Sequence, residues 1–298
     1  MNKNYKPSLN LRWLFLTVLL CVMGNVSAQL SGTYTIDNTA ATGGTNFANW
    51  QDFRNSIVTN GVSAAVVVNV KTDITETAQI TFPPIAGTSA TNTVTINGGG
   101  KFLAYSISDA VILINGADYF TFDKLIVRNT TTSQYAQGYR FTYGSDSKGS
   151  DYNTISNGTI EFSAMATGTT AGGAYISFTS SATSMTATNS ITYGSFNTIS
   201  GNLMRTTNSN SPGPTYGIAM QGSSSSYSST AQDNTITGNT IENFYYMAIR
   251  LYYSNGVQVL NNDISRKNAT SANCNSTLYG IYSYYTYSTS RSSKFDGN

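Results

Sequence analysis

Four segments of this chain share one internal grammar: Asn153-Thr-Ile-Ser-Asn-Gly-Thr-Ile160, Asn197-Thr-Ile-Ser-Gly-Asn-Leu-Met204, Asn234-Thr-Ile-Thr-Gly-Asn-Thr-Ile241 and, more loosely, Val257-Gln-Val-Leu-Asn-Asn-Asp-Ile264. A word that recurs at irregular spacing with constant internal order marks a solenoid, whose repeats each form one coil and bury their apolar side only against neighbours. The third and eighth letters are always apolar: Ile155, Ile199, Ile236 and Val259, then Ile160, Met204, Ile241 and Ile264. Asn and Gly, which tolerate left-handed backbone angles, stand between them. The word therefore reads as strand, sharp corner, strand. Stacked like on like, the apolar letters form inward ladders, and the corner residues Asn202, Asn239 and Asn262 form a polar ladder whose amides bond from coil to coil.

A second short strand follows each word after a variable stretch: Gly173-Ala-Tyr-Ile-Ser-Phe178, Gly217-Ile-Ala-Met-Gln221, Ala248-Ile-Arg-Leu-Tyr252 and Gly280-Ile-Tyr-Ser-Tyr284, with Tyr139-Arg-Phe-Thr-Tyr143 as an earlier member. Alternation with period two gives these strands one buried face. Strand, corner, strand, loop and strand make one coil of a parallel β-helix. An antiparallel sandwich of short strands accounts for the turn residues but not for the repeated Asn-Thr-Ile words.

These motifs resemble the right-handed parallel β-helix repeats of the pectin-lyase-like superfamily over roughly residues 90 to 298. The upstream stretch, with Gly32-Thr-Tyr-Thr-Ile36, Gly43-Gly-Thr-Asn-Phe47 and Val66-Val-Val-Asn-Val70, is similar to the entry segment of large secreted β-helix proteins of Bacteroidetes-type bacteria. The expected class is all-β, a right-handed parallel β-helix with an N-terminal capping helix. Phe47, Trp50, Phe53, Arg54 and Ile57 fall at helical intervals, with Asn46 or Asn49 to cap the start. A helix there covers the open edge of the first coil. The expected organisation is a signal peptide over 1–28, a cap with a first irregular coil over 29–89, and helix repeats over 90–298. The closing Lys294-Phe-Asp-Gly-Asn298 reads as the opening of another strand-corner unit, which suggests a chain cut from a longer protein with a C-terminal edge prone to fraying.

Lys3, Lys6 and Arg12, an apolar core from Trp13 to Met23, and Val26-Ser-Ala28 form an export signal cleaved after Ala28. The expected location is secreted or at the cell surface, with no membrane span in the mature chain. The lipoprotein reading of Cys21 fails on Leu20, which stands where a small residue is needed. Removing the three basic residues of the signal leaves thirteen against fourteen acids, a net charge of −1 in place of the precursor's +2. Nucleic acid, which needs a concentrated basic surface, is not an expected partner. Only Cys274 remains after cleavage, so the mature chain forms no intrachain disulfide. Charged residues are 10% of the chain, far below the usual quarter, yet 40% is hydrophobic, which separates a folded solenoid from a disordered stalk.

The chain has no His, which excludes histidine triads, imidazole bases and His-ligated zinc. Polygalacturonase-like relatives use an Asn-Thr-Asp word, an adjacent Asp pair and a Gly-His-Gly word, and none occurs here. The ninth position of each repeat carries Arg128, Glu161, Arg205, Glu242 and Ser265. Glu161 and Glu242 could be read as a catalytic carboxylate pair. Alternating charge at a strand spacing of about 4.8 Å suits a cross-strand ion ladder better.

The second strand set offers a binding face. With Phe141, Ile176, Ile218, Ile249 and Ile281 pointing inward, the outward side chains include Arg140, Tyr175, Ala219, Gln221, Arg250, Tyr252, Tyr282 and Tyr284. Tyr faces with Arg and amide groups suit sugar rings, though Tyr also favours half-exposed strand positions for its own sake. In superfamily members such a face is where polysaccharides bind. The expected function is non-catalytic glycan binding or adhesion, with a polysaccharide or cell-surface glycan as partner and Arg140, Tyr175, Gln221, Arg250, Tyr252, Tyr282 and Tyr284 as contacts. Two alternatives stand beside it: a purely structural stalk, and a polysaccharide lyase on uronate polymers with Arg250 and Tyr252 as the reactive pair. No cofactor or metal is expected, Ca²⁺ entering only with the lyase, and no clustered Asp set is present to bind it.

Overall fold

The computed structural model describes residues 28–145, 147–163, 165, 172–185, 193–208, 210–222, 231–266, 270, 274–284 and 292–298. The segment 1–27, read above as an export signal, lies outside the described residues. The chain is an all-β parallel β-helix with one helix near its N-terminus. Three long sheets run along it, one of ten strands (sheet A) and two of seven (sheets B and C). Their strands stack in chain order except that Asn46–Phe47 lies outside Leu30–Ile36 at the start of sheet A, and every strand pair among the described residues is parallel.

The repeat words set the register. On sheet A the inward column runs Val68, Ile96, Phe122, Ile155, Ile199, Ile236, Val259 and Phe295. On sheet B it runs Ile74, Leu103, Val127, Ile160, Met204, Ile241 and Ile264. Ile155, Ile199, Ile236 and Val259 are buried on one face, as the repeat requires. Each such side chain stabilises the fold by roughly 1.5–3 kcal/mol.

The corner between sheets A and B is left-handed in coil after coil, at Lys124, Asn157, Gly201, Gly238, Asn261 and Gly297. Those residue types adopt positive φ at low cost, Lys124 excepted. The residue that follows in the later coils is the ladder Asn. Asn202 donates its backbone N–H and its Nδ2 to Asn239 Oδ1, each at 3.0 Å, and Nδ2 also reaches the Ile155 carbonyl at 2.9 Å. Asn239 repeats this toward Asn262, and Asn262 toward Asn298. A second ladder uses the first letter of the word. Asn153 N–H donates to Asn197 Oδ1 at 2.8 Å, and Asn197 N–H to Asn234 Oδ1 at 2.9 Å. These amides are buried and bonded, so each contributes about 1 kcal/mol net and leaves a costly vacancy if truncated.

The helix spans Trp50–Asn60, and Asn49 rather than Asn46 caps it, accepting from the Asp52 N–H at 2.8 Å. Trp50, Phe53 and Ile57 are buried. Gln51 Nε2 donates to the carbonyls of Ala78 and Gln79, and Arg54 Nε to that of Thr81. Those carbonyls lie at or beside Ile80–Phe82, the edge strand of sheet C, so the helix satisfies an edge that would otherwise stand unpaired.

Candidate glycan-binding face

Sheet C consists of Ile80–Phe82, Ala110–Asn115, Gln137–Thr142, Ala174–Phe178, Tyr216–Gln221, Met247–Tyr252 and Tyr279–Tyr284. Two inward columns fill the core beneath it. Tyr139, Ile176, Ile218, Ile249 and Ile281 form one, and Phe141, Phe178, Met220 and Leu251 the other. Between and beyond them lie two outward columns, Arg140, Ser177, Ala219, Arg250 and Tyr282, and then Gln221, Tyr252 and Tyr284.

Tyr175 is not on that face, which corrects the alternating pattern. Its ring is fully buried against Phe162 (centroids 4.9 Å), and its hydroxyl donates to the Glu242 carbonyl at 3.0 Å. The alternation breaks because the position before the Ile column also points inward. A side chain at Gly217 would strike the Ala248 carbonyl and the Ile241 side chain. The small residues at this position, Gly138, Gly217 and Ala248, therefore belong to the interior, and Tyr175 fills the space they leave open.

Arg140 and Gln221 do face outward, but both are covered. Arg140 is 7% exposed and clamps Asp109 with two hydrogen bonds, Nε to Oδ1 at 3.0 Å and Nη2 to Oδ2 at 2.8 Å, while Nη1 reaches the Ser180 carbonyl. It is a structural ion pair, not a free sugar contact. Gln221 is 3% exposed, and its Oε1 is buried without a partner.

The open part of the face lies on the two C-terminal strands. Tyr252, Tyr282 and Tyr284 form a rosette with ring centroids 5.8 Å and 5.1 Å apart, and Tyr284 is 41% exposed. Tyr279 and Tyr246 extend it at 5.1 and 5.6 Å. Below sits Arg250, 7% exposed, its guanidinium carbon 3.7 Å from the Tyr252 ring centre and 5.5 Å from that of Tyr216. Its Nη2 donates at 3.4 Å to the Met185 carbonyl, the guanidinium also hydrogen-bonds Tyr252, and its Nη1 is buried with no partner among the described residues. No carboxylate among the described residues pairs with it. Burial pushes the Arg250 guanidinium pKa down, and burial followed by a hydrogen bond with Tyr282 pushes the Tyr252 phenol up.

The ninth-position column takes the ladder arrangement. Arg128 faces Glu161, and Glu161 faces Arg205. Arg128 Nε lies 2.8 Å from Glu161 Oε2, and Arg205 Nη2 2.5 Å from Oε1. Both Glu161 oxygens are thus occupied by cations, which removes it as half of a catalytic pair. The Arg128 guanidinium in turn lies over the Phe102 ring at 4.4 Å.

No family model matches this chain, and no curated protein matches it. Among solved structures it is similar to an alginate lyase from Paenibacillus sp. str. FPU-7, with a TM-score of 0.44 and 12% identity over 78% of this chain and 73% of that one. It is also similar to pectate lyase Pel9A, with a TM-score of 0.37 and 12% identity over 91% of this chain and 80% of that one.

Proposed function

We propose that this is a secreted or cell-surface β-helix protein that binds an acidic polysaccharide without cleaving it, through Tyr252, Tyr282 and Tyr284 with Arg250 as the anchor for an anionic group. The observation that carries this reading is the buried Arg250 guanidinium, whose Nη1 has no partner among the described residues, beneath a partly exposed tyrosine rosette. A buried charge without a counter-ion is costly in the free protein, and a ligand carboxylate or sulfate supplies the missing partner. The rosette offers ring surface for sugar stacking beside it.

Lyase chemistry fits these residues less well. A proton-abstracting Tyr252 needs a phenol held low, whereas its surroundings hold it high. A glycan array followed by calorimetry with acidic and neutral oligosaccharides tests the reading. Binding of acidic sugars, lost in Tyr252→Ala, is the expected result. Ultraviolet absorbance rising when uronate polymer is incubated with the protein, and lost in Arg250→Ala, would establish the lyase instead. The reading of export rests on the sequence alone: basic residues, an apolar core and the small-residue Val26-Ser-Ala28 site.

A further inference from the structure

The outward face of sheet C is closed upstream of Arg250 by the chain itself. The segment 179–185, which leaves the strand Ala174–Phe178, packs over Ala219 through Met185, and Ser177 and Ala219 are both completely buried on an outer sheet face. Thr179 Oγ1 donates to the Ser184 carbonyl at 3.0 Å, which rounds the segment into a compact loop. The Met185 side chain packs with Ala174, Tyr216, Ala219 and Met247 in a small cluster separate from the main core. Beneath the loop the outward positions are Ala174, Ser177 and Ala219, flanked by Tyr216 and Met247 in the Ala174 column.

Two arginines hold this loop, and they hold it unequally. Arg140 takes the Ser180 carbonyl at 3.1 Å and is itself fixed by the two-bond clamp on Asp109. Arg250 takes the Met185 carbonyl at 3.4 Å, longer than an ordinary N–H···O bond, and no carboxylate among the described residues holds its guanidinium in place. The first contact is built as a hinge. The second is built to exchange, because a carboxylate or sulfate accepts from a guanidinium in a shorter and stronger bond than a backbone carbonyl does.

Resting on the glycan-binding reading above, we propose that the 179–185 loop is a latch released by the ligand. An acidic sugar that takes the Arg250 guanidinium withdraws it from the Met185 carbonyl. The loop then lifts about its Arg140 end and uncovers this floor, Tyr216 included, as additional groove. The ligand must bind Arg250 better with the loop lifted than with it seated, since only differential affinity shifts such an equilibrium.

Hydrogen exchange of the full mature chain decides this in two arms. Without ligand, Arg250→Gln and, separately, Met185→Ala are expected to speed exchange of the amides at 180–185 by tenfold or more, while protection at Ile199 and Ile236 stays unchanged and shows the coils intact. Loop exchange unaffected by both substitutions would overturn the latch. In the second arm a galacturonate hexasaccharide is the probe and cellohexaose the control. The acidic probe is expected to speed loop exchange in the wild type while protecting strand amides near Tyr252. If it binds and loop exchange stays the same or slows, the latch is wrong and the binding site stands. If it does not bind, the acidic-glycan reading falls and ligand-driven release falls with it.

Discussion

Arg140 and Arg250 occupy the same outward column of sheet C, three strands apart, and both are 7% exposed. By strand position and depth they are the same residue. They differ in what surrounds the guanidinium: Arg140 has a carboxylate clamped in two bonds, whereas Arg250 has two tyrosine rings, a side-chain hydrogen bond with Tyr252 and one long contact to a carbonyl. The pair at Arg140 is closed, its charges balanced within the chain. Among the described residues no carboxylate balances the charge at Arg250. Burial alone therefore does not set the two arginines apart; the counter-charge does.

The most forceful way to break the comparison is to make Arg140 resemble Arg250. Asp109→Ala removes the carboxylate and leaves a covered cation, and should destabilise the protein by about 3 kcal/mol. Denaturant unfolding read by circular dichroism checks this, and a loss below about 1 kcal/mol would mean that water already solvates Arg140. The reverse substitution is expected to run the other way. Arg250→Met removes an uncompensated charge, so stability should hold or rise by about 1 kcal/mol. Affinity for an acidic oligosaccharide should fall by about 2 kcal/mol, near thirtyfold, the worth of a charged hydrogen bond. A stability loss at Arg250→Met as large as that at Asp109→Ala would make Arg250 structural and end the distinction.

The ion ladder on sheet B supplies a third case, in which pH does the breaking. Burial tends to raise the Glu161 pKa, but hydrogen bonds from Arg205 and Arg128 outweigh it and hold the carboxyl below the usual glutamate range. A depressed carboxyl contributes stability that is fully present above its unfolded pKa and is lost as pH falls through the folded value. The wild type should therefore lose stability on acidification below the ordinary glutamate pKa by more than Glu161→Gln does. The difference should be about 1 kcal/mol, since both arginines are partly open to solvent. Thermal melts of both proteins across that window measure it. Arg250, with no carboxylate, should show no such acid-dependent difference between wild type and Arg250→Met.

The fold was legible because the Asn-Thr-Ile words carry both the inward letter and the corner in eight residues. The Ile ladders and the Asn202–Asn239–Asn262 amide ladder follow from that spacing alone. The second ladder, Asn153, Asn197 and Asn234, was equally written in the words as their first letter. It was missed because an Asn before a strand reads as a turn residue until the coil above is in place. Tyr175 was misplaced for a geometric reason, two consecutive inward positions, whose trace in the sequence is the Gly or Ala at 138, 217 and 248. The partner of Arg140 was out of reach altogether. Asp109 precedes it by 31 residues and stands outside any repeated word. Identity of residues on a face can be read from alternation, but the neutralisation of their charges depends on neighbours that alternation does not reach.

The finest test of the comparison concerns the rings rather than the charge. If Arg250 anchors an anion while the rosette stacks on sugar, the two contributions should separate. Tyr284, the most exposed of the three rings, packs against Tyr252 and Tyr253, whereas the Arg250 guanidinium lies over the Tyr252 ring. Tyr284→Ala should weaken acidic and neutral oligosaccharides alike by about 1 kcal/mol, roughly fivefold, with little change in stability. Tyr284→Phe keeps the ring and should be nearly silent. Arg250→Met should instead act on the acidic sugar alone. Calorimetric titration of the three variants with one acidic and one neutral oligosaccharide of equal length resolves this. If Tyr284→Ala discriminates against the acidic sugar as strongly as Arg250→Met does, ring and cation act as one unit. The contrast with Arg140 would then lie in the aromatic surroundings of Arg250 rather than in its missing carboxylate.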